Sequence, residues 1–217
     1  MTLILLPNII AENTEACAFP PIVYEKVKTL THLIAESEKE GRRYLKRFSL
    51  TLPILLLNEH TTDFHELIDP LKKGAIIGLI SDAGLPCLAD PGYQLVSLAR
   101  KNKIEVEALI GPSSILLAIM LSGLPSQRFS FHGYLPYQLD KTFRLEKQVL
   151  HLFIEAPYRN KKTFEKLLSI LPKEAFLGVA VDLMAPNQEV EVKRVSEWKS
   201  SPEIDKRPAI FLIRSES

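Results

Sequence analysis

Cysteine is nearly absent: Cys17 and Cys87 are the only two, and they form no CxxC pair. That excludes a disulfide framework and a thiolate zinc site and suits a reducing compartment, so the cytoplasm is the expected location. Glycine is scarce, nine in 217 residues. There is no GxxxxGK[ST] loop, no GxGxxG turn after the first strand, no GxSxG elbow and no HExxH, so the common nucleotide, ester and zinc-hydrolase signatures are missing. His60 and His65 stand five apart, off the spacing that puts two imidazoles on one helix face, and no metal is expected. No apolar run approaches the roughly 18 residues that cross a bilayer. The opening Met1–Pro7 is apolar but short and lacks a basic leader, and it reads as a strand. With 27 basic and 26 acidic side chains the net charge is +1, so no overall field recruits an anionic polymer and any RNA contact needs a local basic patch.

What is present is ordinary globular material, 46% hydrophobic and 24% charged, enough for a sizeable core. From Leu3 to Gly123 short β-rich runs (Leu3–Leu6, His32–Ala35, Pro53–Leu57, Ala75–Ile80, Glu105–Ile110) alternate with stretches whose apolar residues recur every three or four positions. Those stretches, Val23–Leu30, Glu38–Phe48, Asp63–Lys73, Tyr93–Lys103 and Ser113–Ser122, read as crossover helices on a mainly parallel sheet. The unbroken hydrophobicity of Ala75–Ile80 marks a central strand covered on both faces. After Gly123-Leu124-Pro125 the rhythm changes. Strands are expected at Phe129–Tyr134, Val149–Ile154, Ala175–Leu183, Glu189–Val195 and Ala209–Arg214, with helices only at Lys141–Gln148 and Asn160–Leu171. The fold class is therefore α/β in two domains, 1–125 with a parallel sheet and 126–217 with a mixed one.

Chemistry concentrates in Ser81-Asp82-Ala83-Gly84-Leu85-Pro86-Cys87-Leu88-Ala89-Asp90-Pro91-Gly92-Tyr93, which leaves the carboxyl end of the central strand, where open α/β sheets bind ligands. Asp82 suits a cationic group or a ribose. Asp90 before Pro91 reads as an N-cap and N1 pair, a role that needs no ligand. A second loop, Gly111-Pro112-Ser113-Ser114, opens the next apolar helix with hydroxyls and free N–H groups. Two such loops at neighbouring strand ends point to one shared crevice.

The order of these motifs, SDAGLP, then ADPGYQLV, then GPSS, then SGLPSQRFSFHGYLP, resembles the ribosomal RNA ribose methyltransferases of the tetrapyrrole methylase superfamily, the class III S-adenosylmethionine-dependent enzymes. The likeness extends over nearly the whole chain, through Leu57–Thr61, Phe153–Asn160 and Lys206–Leu212. It implies a two-domain protein, usually a homodimer, with S-adenosylmethionine held between domains. By that match Ser81, Asp82 and Ala83 line the methionine end of the cofactor, with Gly84 and Ala89 alongside. Ser113 and Ser114 match the cofactor-contacting hydroxyl position, and Asp182, Leu183, Met184, Pro208 and Ala209 match second-domain strands around adenine and ribose.

Methyl transfer needs little beyond alignment and exclusion of water, because a sulfonium methyl is already activated. A sugar hydroxyl acceptor still gains from a base. Glu36 and Glu155 are the leading candidates, with Glu59 and Asp182 also near strand ends. Two stretches depart from the family pattern. Pro7-Asn8-Ile9-Ile10-Ala11 stands where a TPxGN loop is usual, and Ala35-Glu36-Ser37-Glu38-Lys39 replaces AEDTR, keeping Glu36 but losing the aspartate and arginine. An RNA surface is expected on Glu38–Phe48 through Arg43 and Lys46 and at Arg159, although a merely solvated helix face explains the same charges. Aromatics of Phe129–Tyr137 could stack bases or sit in the core. The leading reading is a methyltransferase acting on a ribose hydroxyl of small-subunit ribosomal RNA. The alternatives are a small-molecule acceptor such as a tetrapyrrole, which an acidic site favours, and a non-catalytic cofactor- or RNA-binding paralogue.

Overall fold

A computed structural model describes residues 1–135 and 145–216. Of the helix expected over Lys141–Gln148 the first four residues lie outside that range, as do Pro136 and Tyr137 of the aromatic stretch, and Leu145–Gln148 form no helix. The chain divides into two compact units, Met1–Ser113 and Ser114–Ser217. This division falls ahead of Pro125 because the helix at Ser114–Ser122 packs on the second sheet.

In the first unit, five strands form one sheet: β1 (Thr2–Leu5), β2 (His32–Ala35), β3 (Ile54–Leu56), β4 (Ile76–Leu79) and β5 (Glu105–Ala108), in the order β3-β2-β4-β1-β5. Every pairing is parallel, and β4 is central as its unbroken hydrophobicity implies. Helices α1 (Glu15–Ala18), α2 (Pro21–Val27), α3 (Glu38–Arg47), α4 (His65–Lys72) and α5 (Tyr93–Lys101) connect the strands. Side chains alternate across the sheet. Ile4, Leu33 and Ala35 pack with Val23 and Val27 of α2 and Tyr44 and Leu45 of α3. On the other face, Leu3, Ile34, Ile77 and Leu79 pack with Leu67, Ile68 and Leu71 of α4 and Leu95 and Ala99 of α5. The short α1 was not legible in the sequence. It contributes the buried Ala18 beside Phe19, at 0% and 3% exposure.

That two-sided cover decides where a ligand can go. The connections leaving β1 and β2 travel towards β3 over one face, whereas those leaving β3 and β4 travel towards β5 over the other, as right-handed crossovers require. Direction therefore reverses between β1 and β4, which are neighbours, and their outgoing loops part to opposite faces. A crevice at such a reversal, beyond the carboxyl ends of the strands, is the general ligand position in open α/β sheets.

The second unit carries α6 (Ser114–Ser122), β6 (Phe129–Tyr134), β7 (Leu150–Ile154), α7 (Asn160–Ile170), β8 (Phe176–Val181), β9 (Glu189–Arg194) and β10 (Ala209–Arg214). The sheet order is β6-β7-β10-β8-β9. It is mixed as expected: β6 runs parallel to β7 and the remaining pairings are antiparallel. Phe164 and Leu167 of α7 pack against Phe153, Leu177, Val179 and Phe211, while α6 lies against β8, β9 and β10.

Candidate functional site

Three loops of the first unit meet at the carboxyl ends of β4, β1 and β5. The loop after β1 lies against the loop after β4, where the Asn8 amide N–H donates to Gly84 O at 2.7 Å. The Asn8 side chain, 3% exposed, donates one hydrogen to Ser81 O (3.0 Å) and the other to Asp82 O (2.9 Å), and its oxygen accepts from Ile9 N–H. The loop after β5 closes the group. A Cβ on Gly84 would lie 3.3 Å from Ile10 Cγ2 and 3.4 Å from Pro112 O, and a Cβ on Gly111 would fall 2.0 Å from Cβ of Pro7. Glycine at 111 is thus required by the close approach of Pro7. The bends at Asp82 and Ser113, expected to be neighbours, do share one edge of the sheet. Ser113 is buried and Ser114 half-buried at the start of α6.

Within this group Asp82, Ala83 and Ala89 are exposed while Ser81 and Gly84 are buried. The Ser81 hydroxyl donates to Ala83 O at 3.0 Å and curls the loop back on its own strand. Left-handed backbone recurs along it, at Gly84, Cys87, Ala89 and Gly92. For Cys87 and Ala89 that conformation costs of order 1 kcal/mol each, and such strain gathers at ligand-binding loops.

Carboxylates crowd the same edge. Glu36, half-buried at the end of β2, has its pKa raised from 4.5 to about 6, by burial first and then by the charges of Asp82, Asp90 and Glu59, against a hydrogen bond from the Asp82 amide that favours its charged form. Burial also raises Asp82, helped by Glu40. It raises Asp90 too, helped by the charge of Asp82 and partly offset by the neighbouring Ser81 hydroxyl. No lysine or arginine contributes to these three shifts. Among the described residues no group of three or more His, Cys, Asp or Glu side chains is arranged to hold a metal ion.

The capping role expected for Asp90 is not what the structure has. Helix α5 begins at Tyr93 with Gly92 as its N-cap and no side-chain cap, and Gly92 sits at φ 135°. A Cβ there would lie 2.8 Å from Cys87 Sγ and 2.9 Å from Leu79 Cδ2, so the chain turns into the helix two residues after Asp90, leaving the aspartate with Ser81 and Asp82. Asn8, Ile10 and Glu40 were not picked out from sequence. An asparagine directly after a β-strand and a proline was the available signal for the first.

Basic residues of α3 are largely neutralised. Arg43 pairs with Glu12 and with Glu40 (3.7 Å), Arg42 with Glu38, and Arg47 with Glu15 at 3.3 Å. Lys46 is exposed and forms no ion pair among the described residues. Arg159, in the second unit, lies 3.2 Å from Glu155, whose side chain is wholly buried. Glu155 also accepts from Thr163 Oγ1 (2.9 Å) and Ala156 N–H (2.8 Å), which joins the end of β7 to the first turn of α7.

The second unit places Asp182, Leu183, Met184, Pro208 and Ala209 together. Asp182 and Met184 take φ of 46° and 67°, Asp182 N–H donates to Pro208 O at 3.0 Å, and Leu183 and Ala209 are buried. Arg207 clamps the bend. Its Nε donates to Asp182 Oδ2 (2.7 Å), and its terminal nitrogens reach Glu189 and the carbonyls of Asn187 and Glu203. Elsewhere in this unit His132 Nε2 meets His151 Nδ1 at 2.8 Å, and His151 Nε2 meets Glu146 O at 2.8 Å. Since a carbonyl only accepts, His151 Nε2 carries a hydrogen and donates it to Glu146 O.

No family model matches the chain. Curated proteins do. The chain is 32% identical over 187 residues to ribosomal RNA small subunit methyltransferase I of Thermotoga maritima, covering 81% of this chain and 83% of that protein. It is 35% identical to the protein of that name from Xylella fastidiosa and 34% to that of Halalkalibacterium halodurans, over 72% and 69% of this chain. It spans only 60% and 55% of those two relatives' own lengths. Among solved structures, uroporphyrin-III-C-methyltransferase from Thermus thermophilus matches with a TM-score of 0.63 at 16% identity, covering 98% of this chain and 94% of that one. The methyltransferase CobJ matches at 0.62 and 13%, covering 99% and 98%. With the sequence likeness to the first group and the two-unit fold shared with the second, the chain belongs to the ribosomal RNA small subunit methyltransferase I family, within the tetrapyrrole methylase superfamily.

Proposed function

We propose that this chain is an S-adenosylmethionine-dependent methyltransferase whose acceptor is a ribose hydroxyl of small-subunit ribosomal RNA. The observation that carries the reading is the meeting of three loops at the strand-order reversal of the first unit, in a chain of this family. Ser81, Asp82, Ala83, Gly84 and Ala89, with Ser113 and Ser114, are the residues assigned to the cofactor there, and Asp182, Leu183, Met184, Pro208 and Ala209 those assigned in the second unit. When bound, the cofactor supplies a methyl group already activated by its sulfonium charge. The uncompensated carboxylates Glu36, Asp82 and Asp90 suit a cationic ligand, and the buried Pro7 and Asn8 with the half-buried Ile10 keep water from the loop bases.

Glu36 is the residue we assign as base. A carboxyl held near 6 is mostly ionised at neutral pH yet basic enough to take a hydroxyl proton, which is the compromise general-base catalysis asks for. Glu155 has its oxygens engaged by Arg159, Thr163 and Ala156, an arrangement that suits holding a loop rather than moving a proton. Lys46 and Arg159 remain the assigned phosphate contacts, with Arg43 weakened in that role by its two glutamates. The acidic edge also supports a second reading, a small-molecule acceptor, because phosphates are repelled there. The chain is further assigned to the cytoplasm and to a homodimer. Met120 and Leu121 of the uncharged α6 are 76% and 45% exposed, the kind of apolar patch a second copy would cover.

Incubation with methyl-labelled cofactor, small-subunit ribosomal RNA and a tetrapyrrole acceptor tests the assignment. A 2′-O-methyl blocks alkaline cleavage, so label in an alkali-resistant dinucleotide supports it. Label in bases or only in the tetrapyrrole refutes it.

A further inference from the structure

We infer that Asn8 is a positioning residue that sets the ligand-facing side of the cofactor loop, a role that rests on the reading above. Asn8 is an amide bracket with both of its donors used. Both side-chain hydrogens go to consecutive carbonyls, Ser81 O and Asp82 O, at 3.0 and 2.9 Å, and its oxygen is held by Ile9 N–H. Its own N–H anchors the next corner of the loop at Gly84 O. In a trans peptide the N–H points opposite the carbonyl. Drawing Ser81 O and Asp82 O towards Asn8 therefore turns the N–H groups of Asp82 and Ala83 away from it.

The destinations of those two N–H groups differ. That of Asp82 faces Glu36 and favours its charged form. That of Ala83, on an exposed residue, has no acceptor among the described residues. One side chain thus turns the second peptide so that its donor faces a ligand. No other residue type does this at the same size. Aspartate presents lone pairs to two carbonyls, leucine leaves both carbonyls unsatisfied, and serine has one hydrogen for two acceptors. The stretch that replaces the family's TPxGN loop, Pro7–Ala11, is therefore not a vestige: it fastens the loop after β4.

Titration of S-adenosylmethionine into the wild type, Asn8→Ala and Asn8→Asp, at pH 5.5 and pH 8, tests this. Circular dichroism checks folding, and Asn8→Ser serves if the alanine variant fails to fold. Losing two hydrogen bonds, one to a buried carbonyl and one to a part-buried carbonyl, should raise the cofactor Kd and KM about tenfold or more, while kcat at saturating cofactor changes far less. Asn8→Asp should match or exceed the alanine defect at pH 8 and recover against alanine at pH 5.5, where a carboxyl facing carbonyls is protonated and donates one hydrogen. Comparing the two variants at each pH cancels the titration of Glu36, Asp82 and Asp90, which face the same loop. Wild-type affinity in folded variants overturns the inference, as does an aspartate defect that ignores pH. A wild type that fails to bind at millimolar cofactor overturns the functional reading itself, and this inference with it.

Discussion

Replacing Glu36 by glutamine should make the protein more stable at neutral pH. Its carboxyl sits at about 6 in the folded chain against an ordinary 4.5, so the folded state holds a proton that the unfolded state has released across that window. Stability then falls as pH rises from about 4.5 through 6, and the full penalty persists above it. At about 1.36 kcal/mol per pH unit the shift corresponds to about 2 kcal/mol, and solvent screening of a half-buried group reduces that to about 1 kcal/mol. Glutamine keeps the shape and still accepts from the Asp82 amide, but it carries no charge to be repelled by Asp82, Asp90 and Glu59. Urea unfolding of wild type and Glu36→Gln at pH 4, 6 and 8 should give superimposable curves at pH 4 and a variant about 1 kcal/mol more stable at pH 8. A variant less stable at pH 8, or a difference that does not change with pH, would mean that neither burial nor the neighbouring carboxylates penalise the Glu36 charge at this edge.

Gly111→Ala should lower stability by about 2 kcal/mol or more, since the new methyl meets Pro7 at 2.0 Å and overpacking a tight contact displaces backbone; thermal melting reads it, and a neutral outcome means the loops after β1 and β5 are not in contact. Glu155→Ala should cost about 3 kcal/mol, because it removes a wholly buried carboxylate that pairs with Arg159 and accepts from Thr163. A stable Glu155→Ala that has lost methyl transfer would instead make Glu155 the base. For RNA, Lys46→Ala should reduce the salt dependence of binding by about one counterion, whereas Arg43→Ala, already paired with Glu12 and Glu40, should change it little. Filter binding between 50 and 200 mM salt compares them, and equal slopes would count against charge compensation on α3.

Periodicity was a good guide wherever burial is regular. Strands β2 and β10 run from His32 to Ala35 and from Ala209 to Arg214, the limits their β-rich patterns suggest, and the burial of Ile77 and Leu79 on one face and of Ile80 on the other is why Ala75–Ile80 shows no alternation. Where structure depends on a few contacts rather than on a pattern, the sequence was mute. Asp90-Pro91 has the composition of a helix start, yet the start is set by the space beside Cys87 and Leu79, which only Gly92 fits. Asn8 looked like a departure from a family motif because its two acceptors are carbonyls more than seventy positions away, and main-chain acceptors leave no mark on composition. Basic spacing along α3 suggested a phosphate surface. Its partners Glu12 and Glu15 come from the loop and helix after β1, a neighbour that helical periodicity does not reveal.

The most direct test follows backbone amide resonances while S-adenosylmethionine is titrated into the protein. Saturable shifts at Asp82, Ala83, Gly84 and Ser113 are expected, with the Ala83 amide moving furthest. Saturable binding that leaves these four amides in place, or no binding at millimolar cofactor, would contradict the placement of the cofactor at the carboxyl edge of the first sheet.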